Sequence, residues 1–419
     1  MPTQTDVVII GAGAAGLAAA KELTALGIDH IVVEASHRIG GRAYSEEIGP
    51  GTWFDLGCAY LVAGPDIDEH VDESNPFIDF AREQGEIIEK YVYPSRYVFD
   101  GRRLDTGQMS DLEKFYADCE DAIRDSAKSG DDVAISDIVD LENPYAIPYM
   151  DMMTVTAPKD LDEASAADFF YKIEELSNHN TRHGYGNLVA RWGSDVNVSL
   201  NSKVESIDWS GHGVSVKTVK GDIKARCVIC TVSTGVMAAE HIEFSPRLPD
   251  WKMDAFRGVT MGAENKIGIH FTEEVFAPAD SGYYQVWSSD AQGAYVDVNL
   301  VSTNIVTVFV GGRFSIWMEQ QGPQAAREFA LDRIADIFGN DIRKSAGRSI
   351  ASAWVTDPWT LGSYAAALPG QFHQRKALPR PIDDRLFFAG EATARANGTC
   401  NGAYWSGIRA AREVSTAIS

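Results

Sequence analysis

The chain has 419 residues, of which 45% are hydrophobic and 10% aromatic. That is enough for two or three domains with sizeable cores. The formal net charge of −23 argues against nucleic acid and against an anionic membrane as partners. Residues 111–180 alone hold 18 Asp/Glu and 5 Lys/Arg, a net charge of −13. This region is either a solvated acidic surface or a field that attracts cationic substrates.

The cysteine content and the hydropathy of the chain indicate its cellular compartment. The five cysteines are an odd and sparse set, which is no disulfide framework and suits a reducing environment. The N-terminal apolar run has no basic flank, and no apolar stretch reaches the ~18 residues that a membrane-spanning helix needs. We therefore expect a cytoplasmic protein with no signal peptide and no membrane partner.

A nucleotide-binding pattern opens the chain. An apolar strand at Val7–Ile10 leads into the glycine-rich turn 11–16, and a helix of small residues covers 14–26. A second apolar strand, residues 30–33, ends at Glu34. A glycine-rich turn alone is weak evidence, because it also occurs as a packing turn without a ligand. The order and spacing of all the parts favour a dinucleotide site.

Each motif residue has a physical task. Gly11 permits the tight turn, Gly13 lets the backbone approach a pyrophosphate, and Gly16 lets the helix lie close to the strand. The helix N-terminus offers N–H groups and the positive end of its dipole to phosphates. Glu34 can accept hydrogen bonds from ribose hydroxyls and disfavours a 2′-phosphate, so the pattern predicts NAD or FAD rather than NADP.

The next segments change character twice. A pair of glycines precedes Arg42, and residues 53–60 predict a short strand that ends in a small-residue loop. Residues 76 to about 183 carry charged helical patterns, such as 111–128 and 164–176, and predict a mainly helical insertion.

After residue 183 the pattern is typical of β structure. Alternating or apolar β-branched runs predict the following strands: 196–200, 204–209, 214–219, 225–232, 262–271 (with Lys266), 283–288, 294–300 and 305–310. A helix is predicted at 323–338, followed by an aromatic loop at 354–364, an apolar strand that ends in Gly390-Glu391, and a last helix that 398–407 opens. The chain thus returns to β structure after the helical region and to a glycine-containing motif near its end. This order predicts domains assembled from discontinuous segments.

The Cys227-Val-Ile-Cys230 spacing matches metal and redox motifs. On a strand, however, residues i and i+3 face opposite sides of the sheet, so the two sulfur atoms cannot share a metal. We therefore interpret the segment as a buried strand and expect no metal site.

Taken together, these pieces resemble the FAD-dependent amine oxidase family, which includes monoamine, polyamine and L-amino-acid oxidases. The matching pieces span nearly the whole chain and are 11–16 with Glu34, 40–42, 55–57, 204–207, 227–235, Lys266, 354–364, 388–391 and 402–403. The set in this order is specific, whereas no single piece is.

The resemblance implies an α/β fold with a Rossmann-type FAD-binding domain and a discontinuous α+β substrate-binding domain. We expect residues 1–75, 184–257 and 352–419 in the first domain, and residues 76–183 and 258–351 in the second.

It also implies the residues that hold FAD. They are Gly11, Gly13, Ala15, Gly16, Glu34, Ala35, Gly41, Arg42, Gly57, Ala59, Tyr60, Val204, Thr231, Gly390, Glu391, Gly402 and Ala403. Among them, Val204 is expected at adenine, and Gly402 with Ala403 at the flavin pyrimidine, where a helix N-terminus stabilises the reduced anion. Covalent members of the family carry a cysteine where this chain has Ser363, so the FAD is expected to be non-covalent.

The catalytic candidates are Lys266, whose counterpart in similar enzymes holds a water beside flavin N5, and Tyr364, one ring of an aromatic cage around the amine. The opposite interpretation of Lys266 is a lysine at a strand edge that points to solvent. The second ring of the cage should fall at Thr399, which is not aromatic, so Tyr404, Trp405 or another ring would have to complete it. Tyr60, Tyr364 and Thr399 are the expected substrate contacts.

The expected reaction is oxidation of a small-molecule amine. Hydride passes from its α-carbon to flavin N5, the imine is hydrolysed, and dioxygen reoxidises the flavin to give hydrogen peroxide. No arginine follows Gly57 to hold a carboxylate, which favours an amine without an α-carboxylate. Alternatives are an amino-acid oxidase, a tailoring oxidase or desaturase on a related C–N or C–C bond, and a non-catalytic flavin-binding protein. A homodimer is possible, and the sequence does not decide the oligomeric state.

Overall fold

A computed structural model describes residues 3–63, 75–91, 95–172, 177–289 and 292–419. Within these ranges no helix combines the length and the apolar character that crossing a bilayer requires. Residues 64–74, part of the first expected FAD-binding segment, lie outside the described residues. So do residues 173–176, the end of the helix predicted at 164–176.

The described strands are short and mostly buried. In chain order they are β1 (Val7–Ile10), β2 (His30–Val33), β3 (Ser45–Gly49), β4 (Thr52–Asp55), β5 (Leu61–Ala63), β6 (Ile88–Lys90), β7 (Ser95–Phe99), β8 (Arg102–Arg103), β9 (Ser177–Thr181), β10 (Val198–Ser199), β11 (Val204–Asp208), β12 (Val214–Thr218), β13 (Gly221–Ala225), β14 (Cys227–Cys230), β15 (Glu243–Ser245), β16 (Val259–Met261), β17 (Glu264–Phe271), β18 (Gly282–Trp287), β19 (Ala294–Val298), β20 (Ile305–Gly311), β21 (Ala346–Ala351), β22 (Ala365–Ala367) and β23 (Leu386–Phe388).

The described α-helices vary from one turn to more than six. They are α1 (Ala14–Ala25), α2 (Pro76–Glu83), α3 (Thr106–Ser129), α4 (Ala146–Thr156), α5 (Ala166–Tyr171), α6 (Tyr185–Trp192), α7 (Thr234–Ala238), α8 (Asp250–Gly258), α9 (Gly312–Gln321), α10 (Pro323–Phe338) and α11 (Cys400–Ile418).

A parallel sheet forms the centre of the nucleotide-binding part. Its described strands run in the order β10-β2-β1-β14-β23, with Val7 opposite both His30 and Cys227. Because its faces are covered by separate cores, alternate residues of β14 enter different clusters. Cys227 packs with α1 and α11, whereas Cys230 packs with β11–β13 and α8. The prediction of a buried strand with its cysteines on opposite faces is confirmed.

A second, mixed sheet carries Lys266. Its described strands run in the order β21-β17-β20-β19-β18-β7-β8, and α10 packs against its apolar face. Strand β17 pairs with both β20 and β21. Lys266 therefore lies on an interior strand and is 5% exposed, so the interpretation of a solvent-facing lysine at a strand edge is wrong.

Local sequence chemistry explains where several helices begin. Asp105 and Gln108 form a capping box at the start of α3, and Gly130 ends that helix in the left-handed conformation. The predicted helix 323–338 matches α10. The run 225–232 was predicted as one strand, but its first residue ends β13 and residues 227–230 form β14.

The proposed division into two domains stays a prediction. The parallel sheet draws its described strands from the three segments expected in the FAD-binding domain. Two pairings cross the expected boundaries, since β5 pairs with β9 and β16 pairs with β22.

Candidate active site

A cavity of about 790 Å³ runs from the C-terminal end of β1 to the start of β17. It is lined by most residues that the sequence singled out: Gly11, Gly13, Ala15, Glu34, Ala35, Gly41, Arg42, Gly57, Ala59, Tyr60, Val204, Thr231, Lys266, Tyr364, Gly390, Glu391, Thr399 and Ala403. These residues are distant in sequence, so the fold brings the expected cofactor and substrate residues to one space.

Gly16 and Gly402 act beside the cavity through close packing. A Cβ on Gly16 would lie 1.9 Å from the Gly11 carbonyl oxygen, and one on Gly402 would lie 2.1 Å from that of Ala396. Both positions therefore require glycine so that a helix can approach neighbouring backbone.

Glu34 closes the nucleotide end of the cavity. The residue is 9% exposed, and its carboxylate accepts hydrogen bonds from the backbone N–H of Ala12 (2.7 Å) and Ser36 (2.8 Å). These bonds fix the carboxylate beside the glycine-rich turn. Gly13 is the N-cap of α1 and makes no side-chain capping bond, which leaves the first-turn N–H groups facing the cavity.

The turn leaves room for a pyrophosphate. A Cβ on Gly13 would have ordinary contacts of 3.8–3.9 Å with Gly41 and Gly40, so a side chain there would grow into the cavity. Gly41 has φ of +60°, which favours glycine, and its Cβ would come within 3.1 Å of the Gly13 Cα. The cradle, the helix terminus and the carboxylate together fit a dinucleotide such as FAD.

Arg42 and Glu391 form an ion pair in the middle of the cavity. The Arg42 guanidinium donates to Glu391 (3.0 Å) and to the Ser363 carbonyl (2.6 Å). The Glu391 carboxylate also accepts from the N–H groups of Ala365 (3.1 Å) and Gly398 (3.0 Å). The pair thus links three segments and holds the strand end, the aromatic loop and the start of α11 in register.

Lys266 points into the cavity from β17. Its ammonium donates to the Gly57 carbonyl and lies 6.0 Å from the Tyr60 ring centroid and 5.5 Å from that of Phe309. A buried ammonium needs such acceptors, because desolvation is costly. The loop around Gly57 and the strand of Lys266 therefore meet where the resemblance places the flavin ring.

Tyr364 and Thr399 lie on one side of the cavity. The Tyr364 hydroxyl donates to the Val155 carbonyl. Thr399 is the N-cap of α11 and accepts from the Gly402 N–H at 3.0 Å. The N–H groups of Gly402 and Ala403 both donate to Thr399. The first-turn N–H groups of α11 that are not used in this way are those of Cys400 and Asn401.

The rings proposed to complete the cage lie elsewhere. Tyr404 packs edge-on against Phe77 and Trp192, and Trp405 packs against Tyr404. The aromatic side chains that line the cavity besides Tyr60 and Tyr364 are Tyr91, Tyr295, Phe309, Trp354 and Trp359. The proposal that Tyr404 or Trp405 supplies the second ring is therefore not supported by the geometry.

A buried aspartate holds two of these rings. The Asp297 carboxylate accepts from the Tyr60 hydroxyl and from the Tyr91 hydroxyl (2.8 Å). Burial raises the pKa of Asp297 to about 6, against the lowering effect of the two phenol hydrogen bonds and of Lys266. The arrangement fixes Tyr60 and Tyr91 as one wall of the cavity.

Among the charged residues of the cavity, Glu264 and Lys172 were not singled out from the sequence. Glu264 lies two residues before Lys266 on β17, and Lys172 follows α5. The Lys172 ammonium donates to the Thr156 carbonyl (2.9 Å) and lies 5.8 Å from the Tyr364 ring centroid. The even spacing of Glu264 and Lys266 on a predicted strand could have revealed the former. No local pattern marks Lys172.

Comparison with known proteins agrees with this geometry. Residues 127–415 match the family model for flavin containing amine oxidoreductases, and residues 9–74 match that for an NAD(P)-binding Rossmann-like domain. The first match alone covers more than half of the chain.

Curated relatives of two kinds are similar over almost the whole chain. Polyamine oxidase 3 of Oryza sativa subsp. japonica is 27% identical over 97% of this chain and 88% of its own length. Probable polyamine oxidase 4 of Arabidopsis thaliana is 26% identical over 98% of this chain and 86% of its own length. Lysine-specific histone demethylase 2 of Homo sapiens is 26% identical over 98% of this chain, but only 53% of its own length.

The fold is shared with a solved structure of a putrescine oxidase single mutant. That structure has a TM-score of 0.80 and 20% sequence identity and covers 99% of both chains. With the family match and the cavity geometry, this similarity leads to one assignment. The chain belongs to the flavin-containing amine oxidoreductase family and is an FAD-dependent oxidoreductase that acts on amine groups.

Proposed function

We propose that the protein is an amine oxidase that converts a small amine into an imine, which water then hydrolyses to a carbonyl product. FAD, when bound, supplies the redox chemistry by accepting a hydride from the amine α-carbon and passing the electrons to dioxygen as hydrogen peroxide. The observation that supports this best is the buried Lys266 ammonium, which faces the cavity between the Gly57 carbonyl and the rings of Tyr60 and Phe309.

The residues at the nucleotide end hold the cofactor in this proposal. Glu34 binds the adenosine ribose, the start of α1 and Arg42 lie along the pyrophosphate, and Val204 lies at adenine. The remaining expected cofactor contacts are Gly11, Gly13, Ala15, Ala35, Gly41, Gly57, Ala59, Tyr60, Thr231, Gly390, Glu391 and Ala403, whereas Gly16 and Gly402 shape the site through close packing beside it. The helix N-terminus at Thr399 places positive dipole where negative charge develops on reduction.

The residues at the other end bind and orient the amine. Lys266 holds a water or a proton near the reacting carbon, and Tyr60 and Tyr364 present aromatic faces to an incoming cation. Thr399 leaves space beside Tyr364 that an aromatic residue would fill. Relatives named polyamine oxidases support an alkylamine as the substrate. We place the activity in the cytoplasm.

Anaerobic stopped-flow mixing with a panel of alkylamines tests the proposal. The bound flavin should bleach with at least one amine, and later addition of dioxygen should restore the yellow colour with release of hydrogen peroxide. A flavin that no amine bleaches would contradict the proposal and would favour a non-catalytic flavin-binding protein. Bleaching of the flavin without rapid reoxidation by dioxygen would indicate that the protein uses another electron acceptor.

Lys172 favours a second candidate, oxidation of an amino acid or a related derivative. Its ammonium lies near Tyr364, where a substrate carboxylate would find a cation although no arginine follows Gly57. Matched pairs of an amine and its α-carboxylated counterpart separate the two candidates. If the amino acid bleaches the flavin faster, and K172M raises its KM by about 10–100-fold, the value of one charged hydrogen bond, the second candidate is correct.

A further inference from the structure

The carboxyl group of Glu264 is a buried acid with no hydrogen-bond partner among the described residues. Glu264 lines the cavity and is 7% exposed, and its Oε1 atom is fully buried without a donor. An unpaired acid in such a place is costly unless it serves a ligand.

The strand directs this carboxyl toward the substrate end. Glu264 and Lys266 are two residues apart on β17 and so share one face of the strand. Asn265 points to the other face, where its side chain binds Ser315 (2.8 Å) and Glu319 (2.6 Å). The Glu264 backbone N–H donates to the Ser363 hydroxyl (2.9 Å), which places the residue beside the segment that carries Tyr364.

From this geometry we infer that Glu264 is the base that removes the proton from the substrate ammonium. The inference rests on the proposed amine oxidation, because hydride can leave the α-carbon only after the nitrogen has regained its lone pair. In the step, one N–H bond of the ammonium breaks and one O–H bond forms on the carboxylate. The products are a neutral amine and a protonated Glu264, and no electrons are exchanged.

The surrounding charges are compatible with this role. Among the described residues, the charged and titratable groups on the elements around Glu264 include Lys266 on its own strand, the Arg42–Glu391 pair against Ser363, Lys172 beside Tyr364, Tyr60 beside Lys266, Glu319 behind Asn265, and Lys159, which donates to the Met261 carbonyl. Burial raises the pKa of Glu264 and Lys266 lowers it. A carboxylate with a raised pKa is a stronger base, which favours its uptake of the proton from the substrate ammonium.

The test compares the holoenzyme with E264Q and E264D. Glu274 is an exposed carboxylate beyond the end of β17, so E274Q is the matched control. At neutral pH, E264Q should reduce its flavin at least ~10²-fold more slowly, the typical effect of losing a positioned base. The deficit should shrink by about tenfold per pH unit toward the pKa of the amine, because free neutral amine replaces the lost base. E264D should recover part of the rate.

Two further readouts separate this role from a structural one. A β-fluorinated amine that is already neutral at neutral pH should be oxidised almost equally by the parent and by E264Q. Calorimetric binding of tert-butylamine, which has no α-hydrogen, should weaken with falling pH in E264Q well before it does in the parent. An equal loss of rate with both amines at every pH would overturn the inference.

Other outcomes are equally decisive. Loss of FAD from E264Q would assign the carboxyl to the cofactor and overturn the inference. If no amine bleaches the parent flavin, the proposed oxidation is wrong, whereas the tert-butylamine profile still decides whether Glu264 accepts a proton. Unchanged pH profiles in that binding experiment would contradict the inference.

Discussion

The two ends of the cavity are built in different ways. At the nucleotide end, neighbouring residues of one segment supply the turn, the helix terminus and the Glu34 carboxylate. At the substrate end, side chains from several separate segments meet, including Tyr60, Lys172, Lys266 and Tyr364. The first end has to bind only a dinucleotide, whereas in the proposed function the second end distinguishes between amines. Substrate selectivity therefore depends on the end of the cavity whose residues come from distant parts of the sequence.

The largest effect is expected from a substitution at the nucleotide end. E34R should lose nearly all bound FAD, because it removes charge-assisted ribose bonds worth roughly 1.5–3 kcal/mol each and leaves the Ala12 and Ser36 N–H groups without their acceptor. E34Q is the matched control, since it keeps an acceptor and should retain part of the cofactor. Flavin absorbance per purified chain measures both. A normal flavin content in E34R would show that the opening motif binds something else.

The second test at the nucleotide end concerns the attachment of FAD. We expect acid precipitation of the protein to release all the yellow colour into the supernatant. Ser363, which the resemblance places at the attachment position, has an engaged hydroxyl that accepts from the Glu264 N–H and donates to the Gly262 carbonyl. A hydrogen bond with Cys400, together with burial, raises the pKa of Cys58 and disfavours the nucleophilic thiolate. Colour retained in the pellet would require a covalent bond, and C58S and C400S would then locate it.

The sequence predicted the nucleotide end well because its chemistry is local. The spacing from Gly11 to Glu34 specifies a strand, a turn and a helix without any long-range contact. Lys266 could be singled out because a lysine is rare in an apolar strand. Lys172 and Asp297 could not, since their significance comes from segments that meet only in space. Glu264 could have been found only through its even spacing from Lys266 on the predicted strand. The pairings of β5 with β9 and of β16 with β22, which cross the expected domain boundaries, were hidden for the same reason as Lys172 and Asp297.

The next prediction contrasts two buried lysines. K266M should keep FAD but slow flavin reduction or reoxidation by ~10²-fold or more, because it removes a positioned proton-handling group. K252M is the matched control. Lys252 donates to the carbonyls of Ala377, Leu378 and Arg380 away from the cavity, so its loss should lower the unfolding temperature and spare both rates. Stopped-flow spectroscopy and thermal unfolding of both variants measure this difference. Equal kinetics in K266M and the parent would make Lys266 a structural residue too.

The smallest expected effect concerns Thr399, which stands at the boundary between the two ends. Its hydroxyl caps α11, and its side chain lines the cavity where other amine oxidases of the resemblance carry a ring. T399A should lower the free energy of unfolding by about 1 kcal/mol through loss of the cap, while T399S should retain the stability of the parent. Thermal unfolding of the three proteins checks this. If both variants bleach with the same amines at the parent rate, Thr399 matters to the substrate only as open space beside Tyr364. If T399S is as unstable as T399A, the methyl group rather than the cap stabilises the start of α11.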